Sequence, residues 1–253
     1  MRAPLFAVLL LLPAAARAKT PAAVKAAAVA ASSSAAGVAL PAYAVSTAPL
    51  TLELVATRFA ELDARMNALR ADFSQFVRLE GSDTVQQVEG DVLFKKPDLL
   101  RLSHRLPEKQ TVVSDGQWLW VYRPGTNQVI QTRLDAWRKS EPLAKGLLDF
   151  GRSADLLKRY AAVLSTVSAP GPDGYRVFTL SLTPKPAERA AGDADFTLTL
   201  KASTRDFFPY EAGLRVGRAV IRSTFANVRL NPELPGDSFR FSPPAGADVF
   251  SSP

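Results

Sequence analysis

The feature of this sequence that most constrains its fold is a change of hydrophobic period near residue 70. Before that point, large apolar residues recur every three or four positions, which predicts an amphipathic helix with one apolar stripe. The stripe consists of Leu52, Val55, Phe59, Leu62, Met66 and Leu69. Thr51 is a suitable N-cap for this helix, and Glu53 lies in its first turn. Beyond residue 72 the apolar residues alternate with polar ones, which predicts β-strands instead.

Short alternating segments then follow one another to the C-terminal region, separated by turn-forming residues. The predicted strands comprise residues 73–79, 85–94, 99–105, 110–113, 118–122, 128–132, 163–168, 175–182, 195–201, 210–216, 218–230 and 238–241. Asp115-Gly116 predicts a tight hairpin, and residues 134–160 predict a helical insertion.

Eleven or twelve short strands in succession favour a meander, in which each strand pairs with the previous one. We therefore expect a mainly β (α+β) fold with a single strongly curved antiparallel sheet, because twist accumulates over so many strands. Two arrangements remain open at this stage. The sheet could close into a barrel filled by side chains alone, or helices could pack in its concavity and leave an apolar cavity between the two layers.

The N-terminal 49 residues are expected to lie outside this fold. Arg2, the apolar run 5–12 and the small-x-small site 16–18 are typical of a signal peptide, residues 1–18, which exports the chain. Residues 19–49 are mostly Ala, Ser, Val and Pro and are expected to form a flexible linker. One folded domain is then expected over residues 50–250.

Cysteine is absent, which excludes disulfides, thiol catalysis, cysteine-ligated metals and a cysteine-borne lipid anchor. The formal charge is +7, from 31 basic and 24 acidic residues, and it is spread along the chain. Such a surface is mainly solubilising and could also meet anionic headgroups or an acidic partner. It is not typical of a nucleic-acid-binding protein, which needs a clustered basic stripe.

Residues suited to catalysis are few. His104 is the single histidine, and a lone histidine in a strand is more often a partly exposed structural residue than a base. Residues 236–239 resemble a lipase nucleophile block, but no histidine follows them to act as the base. Because the common metal, phosphate and dinucleotide motifs are also missing, we expect no catalytic residues, no metal and no cofactor.

Four sequence blocks, in order, resemble the periplasmic lipoprotein-carrier family over residues 51–249. Residues 71–75 read ADFSQ, residues 89–100 read EGDVLFKKPDLL, residues 113–122 read VSDGQWLWVY, and residues 239–249 read FRFSPPAGADV. The resemblance implies an incomplete, half-open β-barrel closed by an N-terminal helix and a helical insertion. It also implies a monomeric, cofactor-free periplasmic carrier that is not an enzyme.

The expected partners follow from the same resemblance. They are triacylated lipoproteins, an inner-membrane lipoprotein-releasing ABC transporter that hands them over, and an outer-membrane lipoprotein receptor; nucleic acid is not among them. An alternative hypothesis is a half-barrel sensor of lipids or lipoproteins that binds a membrane regulator. A second alternative, a lipid esterase, lacks a catalytic triad.

The acyl-binding cavity is expected to be lined by apolar residues of the helices and strands. The predicted set is Leu62, Met66, Phe73, Val92, Phe94, Leu100, Leu102, Trp118, Trp120, Tyr122, Leu143 and Leu147. A plain packed core explains the same pattern, and periodicity does not separate the two interpretations. Lys96 stands where the family has an arginine that holds the lid helices closed, and Leu100 stands where an aromatic residue is frequent. Lysine lacks the planar fork of arginine and should hold the lid less rigidly.

Overall fold

The computed structural model describes residues 39–82, 84–140, 150–185 and 196–252. The helices are α1 (Leu52–Arg65), α2 (Leu134–Ser140) and α3 (Ser153–Arg159). The strands are β1 (Ala68–Leu79), β2 (Val85–Lys95), β3 (Leu99–Leu106), β4 (Gln110–Asp115), β5 (Trp118–Arg123), β6 (Gln128–Arg133), β7 (Tyr160–Val167), β8 (Val177–Pro184), β9 (Phe196–Ser203), β10 (Pro209–Val216), β11 (Ala219–Leu230) and β12 (Asp248–Ser252).

Helix α1 forms where the three-and-four spacing predicts it. The backbone N–H of Leu54 donates to Thr51 Oγ1 at 3.2 Å, so the predicted N-cap is confirmed. The helix ends at Arg65, earlier than the apolar stripe suggests, because Met66 is its extended C-cap and Leu69 already belongs to β1. The stripe buries Val55 and its neighbours against the sheet.

All twelve strands belong to one curled sheet in the order β12-β6-β5-β4-β3-β2-β1-β11-β10-β9-β8-β7. The order begins and ends with different strands, so the sheet is open. The single mainly β sheet is thus confirmed, with one exception to the antiparallel pairing: β12 runs parallel to β6.

The predicted strand at residues 238–241 is wrong, since these residues form a turn and irregular backbone. Prolines at positions 235, 243 and 244 flank the segment and remove the N–H groups that a strand ladder needs. The segment lies instead across the outer face of the sheet, where Arg101 donates to the Ser238 carbonyl at 3.2 Å. The last strand, β12, starts only at Asp248.

Helix α1 packs on one side of the sheet, which we call the inner face. Its C-terminal half contributes Leu62 and Met66 to the main cluster, a group of buried apolar residues on β1 to β5. Its N-terminal half contributes Val55 and Phe59 to a second cluster with α3 and the strands β8 to β10. A small lower cluster consists of Val77, Leu214 and Ile221.

Residues 39–49, which were expected to belong to a flexible linker, instead pack against the folded domain. The Tyr43 ring meets Phe207 edge-on at 5.4 Å between centroids, and its hydroxyl donates to Glu61 at 2.9 Å. Leu40 packs against the main cluster. We call residues 39–50 the N-terminal strap. The remainder of the predicted linker and the predicted signal peptide lie outside the described residues.

Candidate functional site

The inner face of β1, β2 and β3 forms two apolar rows because residues on one face of paired strands lie side by side. In the first row Leu69 lies opposite Phe94, which lies opposite Leu100. In the second row Ala71, Val92 and Leu102 are aligned in the same way, and the row continues through Val112 to Val121. All of these side chains are buried. The rows form a continuous apolar surface beneath the end of α1.

Seven members of the predicted cavity set meet in the main cluster. They are Leu62, Met66, Phe73, Val92, Phe94, Leu100 and Leu102. Trp137 of α2 and Phe208 of the β9–β10 connection join the same cluster and were not predicted. The sequence offered no signal for Phe208, since only the folded chain brings that connection next to β1 and β11.

Three members of the predicted set, Trp118, Trp120 and Tyr122, lie on the opposite, outer face of the sheet. Trp120 is paired with Val113 of β4, whereas Val121 is paired with the inner-face residue Val112. The inner face of β5 is therefore formed by Leu119 and Val121, which are 1% and 2% exposed. This part of the prediction is corrected, because aromatic size is a poor guide to the face that is covered by helices.

The outer aromatic residues have their own cover. The Phe241 ring lies 6.1 Å from the Trp120 ring and 5.9 Å from the Tyr122 ring, between centroids. Both faces of β5 are thus apolar, one beneath the helices and one beneath the C-terminal segment. Two further predicted residues, Leu143 and Leu147, lie outside the described residues.

Polar contacts of the β2–β3 turn hold the helices at one end of the apolar rows. Lys96 Nζ donates to the backbone carbonyl of Asp63 in α1. The Asp63 carboxylate in turn accepts the N–H of Ala154 in α3 at 2.8 Å. Gly151, with φ of 71°, lies against the Lys96 side chain, where an added Cβ would come within 2.8 Å of Cε. Lys96 therefore lies beside both helices.

The second anchor of this turn is Asp98, which forms two ion pairs with the helical insertion. Its Oδ1 lies 2.7 Å from Arg138 of α2 and 3.3 Å from Arg152, just before α3. The Asp98 side chain is only 21% exposed, so these pairs are less screened than surface pairs. We call Lys96, Asp98 and their partners the latch. Lys96 was named from the sequence as a candidate contact, and Asp98 was not.

Burial perturbs two ionisable groups of the inner layer. The pKa of the Asp63 carboxyl is raised by burial, against the opposing effect of the N–H groups of Ala154 and Ser153 and the charge of Lys96. The pKa of His104 is lowered by burial to about 4. His104 is 7% exposed, so the expectation of a partly exposed residue is corrected: its strand turns this position inward.

The part of the chain that the structure describes contains no group of three or more histidine, aspartate or glutamate residues that could hold a metal ion. Within the same residues, no helix is both long enough and apolar enough to span a membrane. The site is thus characterised by apolar surface, covering helices and a polar latch.

A family model and the curated relatives show one family. The model of the family described as outer membrane lipoprotein carrier protein LolA matches residues 64–242. The outer-membrane lipoprotein carrier protein of Albidiferax ferrireducens is 29% identical over 73% of this chain and 84% of its own length. That of Dechloromonas aromatica is 31% identical over 72% of this chain and 80% of its own length. A solved structure of a LolA superfamily protein from Nitrosomonas europaea is 16% identical, covers 76% of this chain and 99% of its own, and has a TM-score of 0.40.

Proposed function

The chain belongs to the family of outer membrane lipoprotein carrier proteins, and from this premise we propose that it is a periplasmic carrier of lipid-anchored proteins. It accepts a triacylated lipoprotein from an inner-membrane ABC transporter and delivers it to the outer membrane, where a lipoprotein receptor takes it over. It acts as a monomer, without catalysis and without a cofactor. The acyl chains are sheltered between the inner face of the sheet and the helices.

The observation that carries this proposal is the contrast between the apolar rows and the contacts that cover them. Leu62 and Met66 of α1 lie over the rows through apolar contacts alone, which are non-directional and tolerant of shape. An acyl chain can replace such contacts without leaving a polar group unpaired. The directional contacts of the latch lie at the end of the rows, outside the apolar surface.

The energetics of the cargo require such a container. Burial of an acyl chain stabilises it by about 0.8 kcal/mol per methylene, so three chains of ~15 methylenes represent roughly 35 kcal/mol of hydration cost. Aqueous transfer without a container is excluded by that cost. Transfer between two containers of similar apolar character is close to neutral, which permits release at the outer membrane.

The latch gives the lid its closed state. Lys96 donates to the Asp63 carbonyl, and Asp98 forms ion pairs with Arg138 and Arg152. We infer that cargo entry breaks these contacts and moves α2 and α3 away from the inner face. Lys96 forms one hydrogen bond here, whereas the planar guanidinium of an arginine could form two. The two ion pairs of Asp98 also stabilise the closed position of the helices.

A hand-off assay tests the proposal. Membranes that hold a triacylated lipoprotein and its transporter are incubated with ATP and the exported form of the protein, and the soluble fraction is analysed for a one-to-one complex. Leu102→Glu places a charge in the second apolar row and should abolish the complex, while Leu102→Gln should weaken it. Thr179→Glu places the same charge on the outer face, across from Lys201, and should leave the complex intact.

Circular dichroism is recorded for each variant first, so that loss of folding is distinguished from loss of binding. A soluble complex that forms with wild type and with Thr179→Glu, but not with folded Leu102→Glu, supports the carrier function and places the acyl chains on the inner face. Failure of the wild-type protein to release any lipoprotein from the membranes would reject it.

A further inference from the structure

Polar side chains cross the inner face below the apolar rows. On β1 and β11, the pair Gln75–Ser223 lies between the apolar pair Phe73–Phe225 above it and the pair Val77–Ile221 below it. Gln75 Nε2 donates to Ser223 Oγ at 3.0 Å. This pair therefore separates the main cluster from the lower cluster on the same face of the same two strands.

On the other side of β2 the polar side chains lie one row nearer the latch, because Gln75 is paired with Val88 whereas Gly90, the partner of His104, is paired with Phe73. His104 of β3 is paired with Gly90 of β2 and with Gln110 of β4, on the same inner face as Leu102. The four side chains are nearly inaccessible to solvent, with 3% exposure for Gln75, 7% for His104, 5% for Gln110 and 6% for Ser223. We call these four residues the polar belt.

Two atoms of the belt have no hydrogen-bond partner within the described part of the chain: Gln75 Oε1 and His104 Nε2. A third buried atom without one, Gln86 Oε1, lies nearby on β2. A buried polar atom without a partner in the protein costs stability unless an ordered water molecule pairs with it. Apolar residues at these positions would be buried without needing hydrogen-bond partners. We therefore look for a function of the polar belt.

The belt lies between the apolar interior and water. Below it, a cleft that holds about one water molecule is lined by His104, Val88, Arg123 and the exposed Glu108 and Lys109. Above it, the apolar rows extend to Leu69 at the latch end, where the backbone N–H of Lys96 donates to Asn67. The apolar surface is therefore bounded by the latch at one end and by the belt at the other.

The distance between these boundaries matches the scale of a lipid chain. Gln75 is six residues along β1 from Leu69, and His104 is four residues along β3 from Leu100. At ~3.4 Å per residue these separations correspond to about 20 Å and about 14 Å. One leaflet of a bilayer contributes half of a hydrocarbon core of about 30 Å, or ~15 Å. An acyl chain of that length that enters at the latch end thus reaches His104 and ends about 5 Å short of Gln75.

We propose that the polar belt is a depth stop, which makes the carrier selective for the length of the acyl chain. This inference rests on the carrier function proposed above. A methylene group that binds along the apolar rows is transferred from water to apolar contact and strengthens binding. A methylene that reaches the belt contacts polar side chains instead of apolar ones, separates them from the water of the cleft, and adds little to the binding free energy.

Binding of saturated fatty acids tests the depth stop. Chains from about 10 to about 20 carbon atoms bracket the depth of one leaflet, and each is titrated against the exported form of the protein by displacement of a fluorescent apolar dye. For wild type we expect Kd to fall about fourfold per added methylene up to a break, beyond which longer chains bind no more tightly.

Variants of the belt should move that break. Gln75→Met and His104→Leu extend the apolar surface and should shift the break to longer chains, while Gln75→Asn keeps a polar group and should retain it. Ser74→Ala changes the neighbouring residue on the outer face and should bind as wild type does.

Each result decides between the hypotheses. A break in the wild-type profile that moves with Gln75→Met or His104→Leu supports the depth stop. A wild-type Kd that keeps falling through the longest chain, or a break that stays in place in both folded variants, rejects the depth stop and leaves the carrier function standing. If no chain displaces the dye from the wild-type protein, the proposed binding of acyl chains between the inner face and the helices is itself rejected.

Discussion

At the scale of single residues, His104 shows how a neighbour without a side chain makes burial of a polar ring feasible. His104 lies opposite Gly90 and meets the Phe73 ring edge-on at 5.6 Å between centroids. A Cβ at Gly90 would come within 2.2 Å of the Ser103 carbonyl oxygen and 2.8 Å of Phe73 Cε1. The glycine therefore allows the Phe73 ring to cross β2 and cover His104. No sequence pattern predicts this, because the contact depends on three strands together.

The buried histidine predicts a pH-dependent stability. Its pKa is about 4 in the folded chain and ordinarily 6.5, so above pH 6.5 it is neutral in both states and contributes no pH dependence. As the pH falls from 6.5 to 4, only the unfolded chain binds the proton, and the free energy of unfolding decreases by about 3 kcal/mol. Urea unfolding across this range measures the decrease, and NMR titration of the single histidine measures its pKa.

The matched control for this prediction is His104→Leu, which removes the titrating group. The difference between the wild-type and variant curves isolates His104 from Asp63 and Asp206, whose raised pKa values act in the opposite direction as the pH falls. An NMR pKa near 6.5 in the folded protein, or parallel unfolding curves for the two proteins, would contradict the assignment.

At the scale of helices and strands, the hydrophobic period predicted where the elements lie, but it did not predict which face of a strand is covered by the helices. The alternation in residues 118–122 shows correctly which side chains share a face of β5. Strands β1 to β11 and α1 form where the periods predict them, whereas β12 was not predicted. Which face lies beneath the helices depends on pairing with β4 and on what covers the other side. Because Phe241 covers the outer face, both faces are apolar and the usual polar-out signal is missing.

The latch predicts a local effect of Asp98→Asn. The substitution removes the charge that pairs with Arg138 and Arg152, and pairs of this exposure stabilise by about 1 kcal/mol. Since they join α2 and α3 to the β2–β3 turn, the helices should detach from the sheet more often while the sheet itself stays folded. Hydrogen exchange of the Ala154 amide should become about fivefold faster, with unchanged exchange in the centre of β1.

Asp135→Asn is the control for this effect. Asp135 lies in α2, as Arg138 does, but its exposed ion pair is formed with Arg133 at the end of β6. The Ala154 amide of this variant should exchange as in wild type. Equal acceleration in both variants would mean that the change comes from net charge, and no acceleration with Asp98→Asn would mean that the latch does not hold the helices.

At the scale of the whole molecule, the N-terminal strap joins parts that are distant in sequence. The backbone N–H of Tyr43 donates to the Arg205 carbonyl at 2.6 Å, and its own carbonyl accepts the Tyr175 hydroxyl at 2.8 Å. Composition predicted a linker here because Ala, Ser and Pro cannot bury a core of their own. A few large residues suffice, however, when the surface that receives them is already folded, and Tyr43 with Leu40 and Leu50 is such a set.

The half-buried Tyr43 ring contacts Phe207, and the Arg58 guanidinium lies 4.2 Å above the same ring. Because Tyr43→Ala removes both contacts, it should lower the free energy of unfolding by about 2 kcal/mol. Tyr43→Phe removes only the hydrogen bond to Glu61 and should cost about 1 kcal/mol. Ala44→Ser, at an exposed neighbouring position, should cost nothing. Urea unfolding measures all three. If Tyr43→Ala unfolds at the wild-type midpoint, the strap adds no stability and is only an appendage of the domain.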